Sequence, residues 1–316
     1  MARPDTRDRA LAARDRTVTS EPKTFWTHDQ AVRTLTRVTS ALGIRVDSDV
    51  LDRWRAVFAP QIQPFRTDRL DSDASLVGRR VEPTLDVRDT FHVYGGNWIW
   101  LEESEFVQLS LKVRRALLFR RVATGRLDQV PDQARSLANA QRTDSRLVWW
   151  PSLLRRVGDG PLLTYIENGL PPSRHREVTS AIWAGAGRVL PCAAGLAGKL
   201  PSGSGPNCFG NVMAAAGIRG AESEHTLREP FEDWLTVHTS PVRGTRRDDQ
   251  PGIVLVWRNR EGMAEHAAVT IGGGYVLNKP SQAWFSPRVV WTVQETIAAS
   301  RYRGVTLSRY FMAAQT

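Results

Sequence analysis

The chain has 316 residues, 41% of them hydrophobic, with 11 tryptophans, two cysteines and a formal net charge of +10. Such a composition builds a core and excludes global disorder. Two cysteines exclude a disulfide framework and a thiolate zinc site. Of the 43 basic residues only Lys23, Lys112, Lys199 and Lys279 are lysines and 39 are arginines, a bias that a GC-rich codon composition also produces. The excess permits attraction to a polyanion but does not prove it. No run approaches the ~20 apolar residues that cross a bilayer, and the N-terminus has no apolar stretch of the secretory kind. A soluble, cytoplasmic chain with no membrane partner is expected.

Residues 1–24 are polar and of alternating charge, and read as a disordered tail. Residues 25–190 read as a mainly helical region. A first helix follows Thr27, with Val32, Leu35, Val38 and Leu42 at helical spacing and Gly43 as its stop. A second follows Asp47 or Ser48, with Leu51, Trp54 and Val57 on one face and Pro60 beyond its end. Residues 60–90 read as charged and irregular. Residues 91–101 suggest a short hairpin turning at Gly95-Gly96. Ser104 is the expected cap of a long helix through Phe106, Leu109, Val113, Leu117 and Phe119, ending near Gly125. Shorter helices are expected around 132–141, 161–168 and 174–188. In the same region, His92, Trp98 and Trp100 either face a pocket or pack in a core.

Charge is uneven along this region. From Lys112 to Gly160 there are 11 basic residues against four acids. Arg114, Arg115, Arg120 and Arg121 sit on the predicted long helix, and Trp149-Trp150 lie near the segment's end. One reading is a solvated helix face with core tryptophans. The other is a surface for a phosphate backbone, with aromatics nearby.

Residues 191–316 have a different texture. A Gly/Ser/Pro-rich loop at 200–207 leads into a short helix at 208–217 ended by Gly217. A second helix is expected at 229–239. Strand signals follow at 253–258, 266–271, 275–278 and 288–291, with Gly272-Gly273-Gly274 joining the middle two. A helix followed by an antiparallel meander makes the fold class α+β.

Cys208 stands where the loop meets the helix. Unpaired N–H groups and the positive end of the helix dipole favour a thiolate there and can hold an oxyanion. Asn207 is in cap position, Phe209 follows, and Gly205 and Gly210 are small enough to admit a substrate. A buried structural cysteine is the alternative, and it is the reading for Cys192, which has no charged neighbour. A nucleophilic thiol needs a base. Of the histidines at 28, 92, 175, 225, 238 and 266, only His266 opens a predicted core strand. A tight hairpin brings Asn278 to the same end of the sheet, where its amide oxygen can fix the imidazole tautomer.

The pieces GPNCFGNVMAAAG (205–217), QPGIVLVW (250–257) and HAAVTIGGGYVLNKPS (266–281) together resemble the NlpC-type papain-like cysteine peptidases and amidases. The resemblance covers roughly residues 200–292. It implies a papain-like catalytic domain at 191–316, Cys208 as nucleophile, His266 as base and Asn278 as orienting residue. It further implies a thioester acyl-enzyme, with no metal and no cofactor. The chain departs from the family pattern at Asn207, Phe209 and Ile253.

The expected function is therefore cleavage of an amide or peptide bond in a small peptide, amide or acyl substrate. One alternative is a cytoplasmic acyltransferase with the same triad, its donor a charged tRNA or a carrier-bound thioester held by residues 112–160. Another is a catalytically inactive binding module. Trp284 and Phe285, close after Asn278, either border the active site or pack in the core.

Overall fold

Residues 253–257 read Ile-Val-Leu-Val-Trp, an unbroken apolar run, and a strand of that kind is buried on both faces. The computed structural model, which describes residues 39–68, 79–114, 116–117, 149–167, 169–301 and 303–312, places this run in β6 (Pro251–Arg258). Val254 and Val256 point to one side, among helices, while Ile253, Leu255 and Trp257 point to the other.

Around β6 lies a six-stranded antiparallel sheet. Its other strands are β5 (Thr239–Val242), β7 (Ala264–Gly272), β8 (Tyr275–Asn278), β9 (Val289–Thr292) and β10 (Thr306–Met312), in the order β5-β10-β6-β7-β8-β9. The expected strands are all present. β5 and β10 were not expected. Thr-Ser-Pro-Val carries a proline, and the β10 sequence alternates only weakly in burial.

On the Val254 side pack α6 (Ser180–Gly187), α7 (Ala193–Leu196), α8 (Cys208–Ala215) and α9 (Arg228–His238), through Ala186, Ala193, Val212, Phe231 and Leu235. Against the other side lies α10 (Val293–Ala299), through Val293 and Ile297. α10 opens with a capping box, Thr292 and Glu295 satisfying each other's backbone N–H groups.

The rest of the described chain builds α1 (Ser48–Phe58), α2 (Leu85–Phe91), α3 (Glu103–Gln108), α4 (Pro151–Val157) and α5 (Gly160–Glu167), with two small strand pairs. β1 (Ser40–Ala41) pairs with β2 (Ile44–Arg45), and β3 (Ile62–Arg66) with β4 (Trp98–Glu102). The chain is thus a mixed α+β fold. Among the described residues no helix is long and apolar enough to cross a membrane.

Several local expectations change. Ala41 ends β1 and Leu42, at φ 50°, lies in the β1–β2 turn instead of a helix end. The remainder of that predicted helix, and the one at 132–141, lie outside the described residues. The 91–101 hairpin does not form. Phe91 ends α2, and β4 pairs with the distant β3, a pairing that buries Phe65 and Leu101 against Phe106, Leu117 and Trp150. The long helix from Ser104 is broken. α3 is capped by Glu102 and stops at Leu109, which adopts extended backbone before helical geometry resumes at 111. α6 starts at Ser180, behind a Thr179 cap, so the helix expected from 174 loses its first turn.

Arg174 ties the segment before α6 to α10. Its guanidinium donates to both Glu295 carboxylate oxygens, at 2.6 and 2.9 Å. These bonds hold the Glu295 carboxyl down at about 2, against an ordinary value of 4.5. A carboxylate whose pKa is depressed by folding contributes stability that is complete above its unfolded value and is lost as pH falls through the folded one. Glu295→Gln is therefore expected to lower the urea midpoint at pH 7. It is also expected to flatten the decline in midpoint between about pH 5 and 2, read by urea melts at each pH.

Candidate active site

Asn207 caps α8 as its residue type predicts. Its Oδ1 accepts the Gly210 N–H at 3.0 Å, and its Nδ2 donates to the Thr226 carbonyl at 2.7 Å. Gly210 has a different role from the expected one. A Cβ there would lie 2.4 Å from the Ala221 carbonyl oxygen, so the glycine lets α8 seat against the 221–226 turn and does not face a substrate.

Cys208 is the first residue of α8 and is 9% exposed. Backbone groups of Ala267, Phe209 and Cys208 itself favour its ionised form. Burial nevertheless dominates and pushes the thiol up to about 11, over the opposing pull of those groups and of the Lys279 charge. The expected resting thiolate gives way to a protonated thiol, because desolvation outweighs the helix terminus. Cys192, in contrast, is exposed.

Cys208 packs in the same buried cluster as Ala267, which follows His266 on β7. His266 and Asn278 come together as the hairpin predicts. Nε2 of the buried imidazole lies 3.0 Å from Asn278 Oδ1, across 12 residues of chain. With the amide oxygen toward the ring, Nε2 carries the proton and Nδ1 is the basic nitrogen. Trp257, the cross-strand partner of His266, packs its ring 5.2 Å away. The β6–β7 register slips between Trp257 and Arg258, beside this pair. Asn278 is fully buried, and its Nδ2 has no hydrogen-bond partner among the described residues.

Two buried basic residues, Lys279 near the thiol and Arg288 beside Lys279, escaped the sequence reading. Lys279, directly after Asn278, is fully buried and donates to the carbonyls of Ser281 at 2.7 Å, Ser286 at 3.1 Å and Ala283 at 3.3 Å. Burial and the neighbouring Arg288 charge press Lys279 down to about 7. Arg288 is 5% exposed, donates to the Glu222 carbonyl, and is held below its usual value by burial. The only sequence signal was a lysine at the end of an apolar strand.

Trp284 and Phe285 do not border the thiol. Trp284 is 1% exposed and packs tilted against Phe58, ring centres 5.2 Å apart, in a cluster with Trp54, Trp149 and Tyr165. Its indole N–H donates to Thr90 Oγ1 at 2.9 Å. Phe285 joins the same cluster, 5.0 Å from Phe58. Of the four arginines offered for substrate, Arg114 lies beside Val113 and Leu117, which pack on Phe65, Phe106 and Trp150, a cluster apart from that of Cys208. Arg115, Arg120 and Arg121 lie outside the described residues. Trp100 is a core residue, and Trp98 donates its indole N–H to the Gly95 carbonyl.

A cavity of about 630 Å³ opens between α1 and α4. It is lined by Asp52, Arg55, Gln61, Leu154, Arg155 and Asp159, and touches none of Cys208, His266 and Asn278. Its charges are largely spent on one another, Arg55 reaching both Asp159 and Asp52. Among the described residues no group of His, Cys, Asp and Glu is placed to hold a metal ion. Comparison of the chain with family models, with curated proteins and with solved structures gives no match.

Proposed function

We propose that this chain is a cysteine-nucleophile acyl-transfer enzyme of the papain-like kind, its last third similar to the NlpC-type peptidases and amidases. One observation carries the reading. A histidine bonded at 3.0 Å to an asparagine oxygen stands in the strand whose next residue, Ala267, shares a buried cluster with a helix-terminal cysteine.

In this mechanism the thiol starts protonated. His266 Nδ1 takes its proton as sulfur attacks a carbonyl carbon, and Asn278 Oδ1 holds the resulting imidazolium through Nε2–H. The backbone N–H groups of Cys208 and Phe209, in the first turn of α8, are available to the oxyanion. The imidazolium returns the proton to the leaving amine as the tetrahedral intermediate collapses to a thioester. Water or another nucleophile then gives up a proton to His266, attacks the thioester carbonyl and releases the acyl group, regenerating the thiol. The substrate class is a small peptide, amide or acyl compound.

The direct test is mass spectrometry of the intact protein after p-nitrophenyl acetate. An acetyl group on Cys208 is expected. Acetylation confined to Cys192, or none at all, overturns the reading. His266→Ala is expected to slow acylation of Cys208 by about 10²- to 10⁴-fold, measured from p-nitrophenol release, since proton transfer is then left to solvent.

A further inference from the structure

Cys208 is flanked by two loops, and neither is anchored only by the sheet domain that carries the thiol. Residues 200–207 lead into Cys208, and residues 279–288 leave Asn278. The first loop is held by α1 and α2. Asp86 Oδ1 accepts the Ser204 N–H at 2.8 Å, Arg53 pairs with the same carboxylate, and Arg53 also donates to the Ser202 carbonyl. The second loop is held by the same two helices. Thr90 accepts the Trp284 indole N–H, and the Arg53 guanidinium lies 5.5 Å over the Trp284 ring. Asp86 and Thr90 are four residues apart and so share one face of α2. That face thus bridges the two loops.

The two attachments differ in strength. The Trp284 point is fully buried in an aromatic cluster, and the Lys279 ammonium further gathers residues 281–286 around itself. The Arg53–Asp86 point is polar, with side-chain exposures of 35% and 18%. Ion pairs that water can reach contribute little and exchange readily. The loop it holds carries Gly203 and Gly205, which give the backbone freedom to swing. Meanwhile Cys208, His266 and Asn278 are all buried, the last completely.

We propose that α2 and Arg53 form a two-point latch over the thiol, and that Cys208 is reached by an acyl group only when the Arg53–Asp86 point releases the 200–207 loop. The latch rests on the acyl-transfer reading for its purpose, but its test measures access to sulfur and not turnover. The buried thiol is the closed state, the 279–288 loop is the fixed jaw, and the 200–207 loop is the moving one.

Iodoacetamide labelling of the full chain, resolved by peptide mass spectrometry, tests this with exposed Cys192 as internal reference. In the unmodified protein Cys208 is expected to label more slowly than Cys192. Asp86→Ala and Arg53→Gln are each expected to raise the Cys208 rate by about tenfold or more while the Cys192 rate stays fixed. Hydrogen exchange should quicken at 202–207 and stay slow at 281–286. Unchanged Cys208 labelling in both variants overturns the latch, as does a rise shared by Cys192 and residues 281–286. So does fast Cys208 labelling in the unmodified protein. If Asp86→Ala does not fold, Arg53→Gln and Asp86→Asn give the same discrimination. Absence of an acyl-enzyme with a working latch would refute the chemistry alone.

Discussion

Cys208→Ala is expected to abolish acylation by p-nitrophenyl acetate at the site and to leave the thermal transition nearly unchanged. The chemistry has one sulfur available to it beside His266, and no hydroxyl among the described contacts of that sulfur replaces it. The structural cost is small because the side chain is already short, and α8 keeps its Asn207 cap and its contacts through Phe209, Val212 and Ala215. Removing one buried sulfur is expected to cost about 1 kcal/mol, the usual scale for a single substitution. Acetyl transfer that persists in this variant at the unmodified rate would refute the assignment of the nucleophile. A large fall in the melting temperature would instead mean that Cys208 is chiefly a core residue.

Trp284→Ala is expected to be the most damaging single change to stability, at about 3–5 kcal/mol. That is a large share of the ~5–15 kcal/mol that holds an ordinary domain folded. The indole fills space among Phe58, Phe285 and Trp54, donates to Thr90, and supports the Arg53 guanidinium. An alanine leaves a cavity, strands no charge, and leaves Phe285 as the aromatic side chain holding the 279–288 loop in the cluster. Urea melts of Trp284→Ala and Phe58→Ala should give comparable losses, since both rings belong to one cluster. A loss near that of a surface substitution for Trp284→Ala would show that the loop is not anchored there.

The sheet was legible where one strand carries its own signature. Residues 253–257 announce themselves by an unbroken apolar run, and the pair 266–271 and 275–278 by the three glycines between them, each at positive φ. The His266–Asn278 contact follows from that hairpin alone, so the sequence sufficed to bring the two residues together. Elements whose stability comes from distant partners were not legible. β3 and β4 pair across 30 residues or more of chain. β10 owes its place to β5 and β6. The protonation of Cys208 was misread for a related reason. The helix terminus is visible in the sequence, but the desolvation that overrides it depends on what packs over the sulfur. Closeness to Asn278 in sequence left Trp284 open to either a pocket or a core place. In space it belongs to Phe58, more than 200 positions earlier.

The strand order has a consequence for how this molecule is assembled. β10 lies between β5 and β6, and β5 is hydrogen-bonded to no other strand of the sheet. Until residues 306–312 arrive, β5 has no partner and β6 presents an open edge of apolar residues. Nascent or truncated chains ending before Thr306 therefore expose a template for pairing with one another. A ribosome-bound chain would hold the β6–β9 meander ready while the sheet waits for its last insertion. Non-local pairings of this kind slow folding in general.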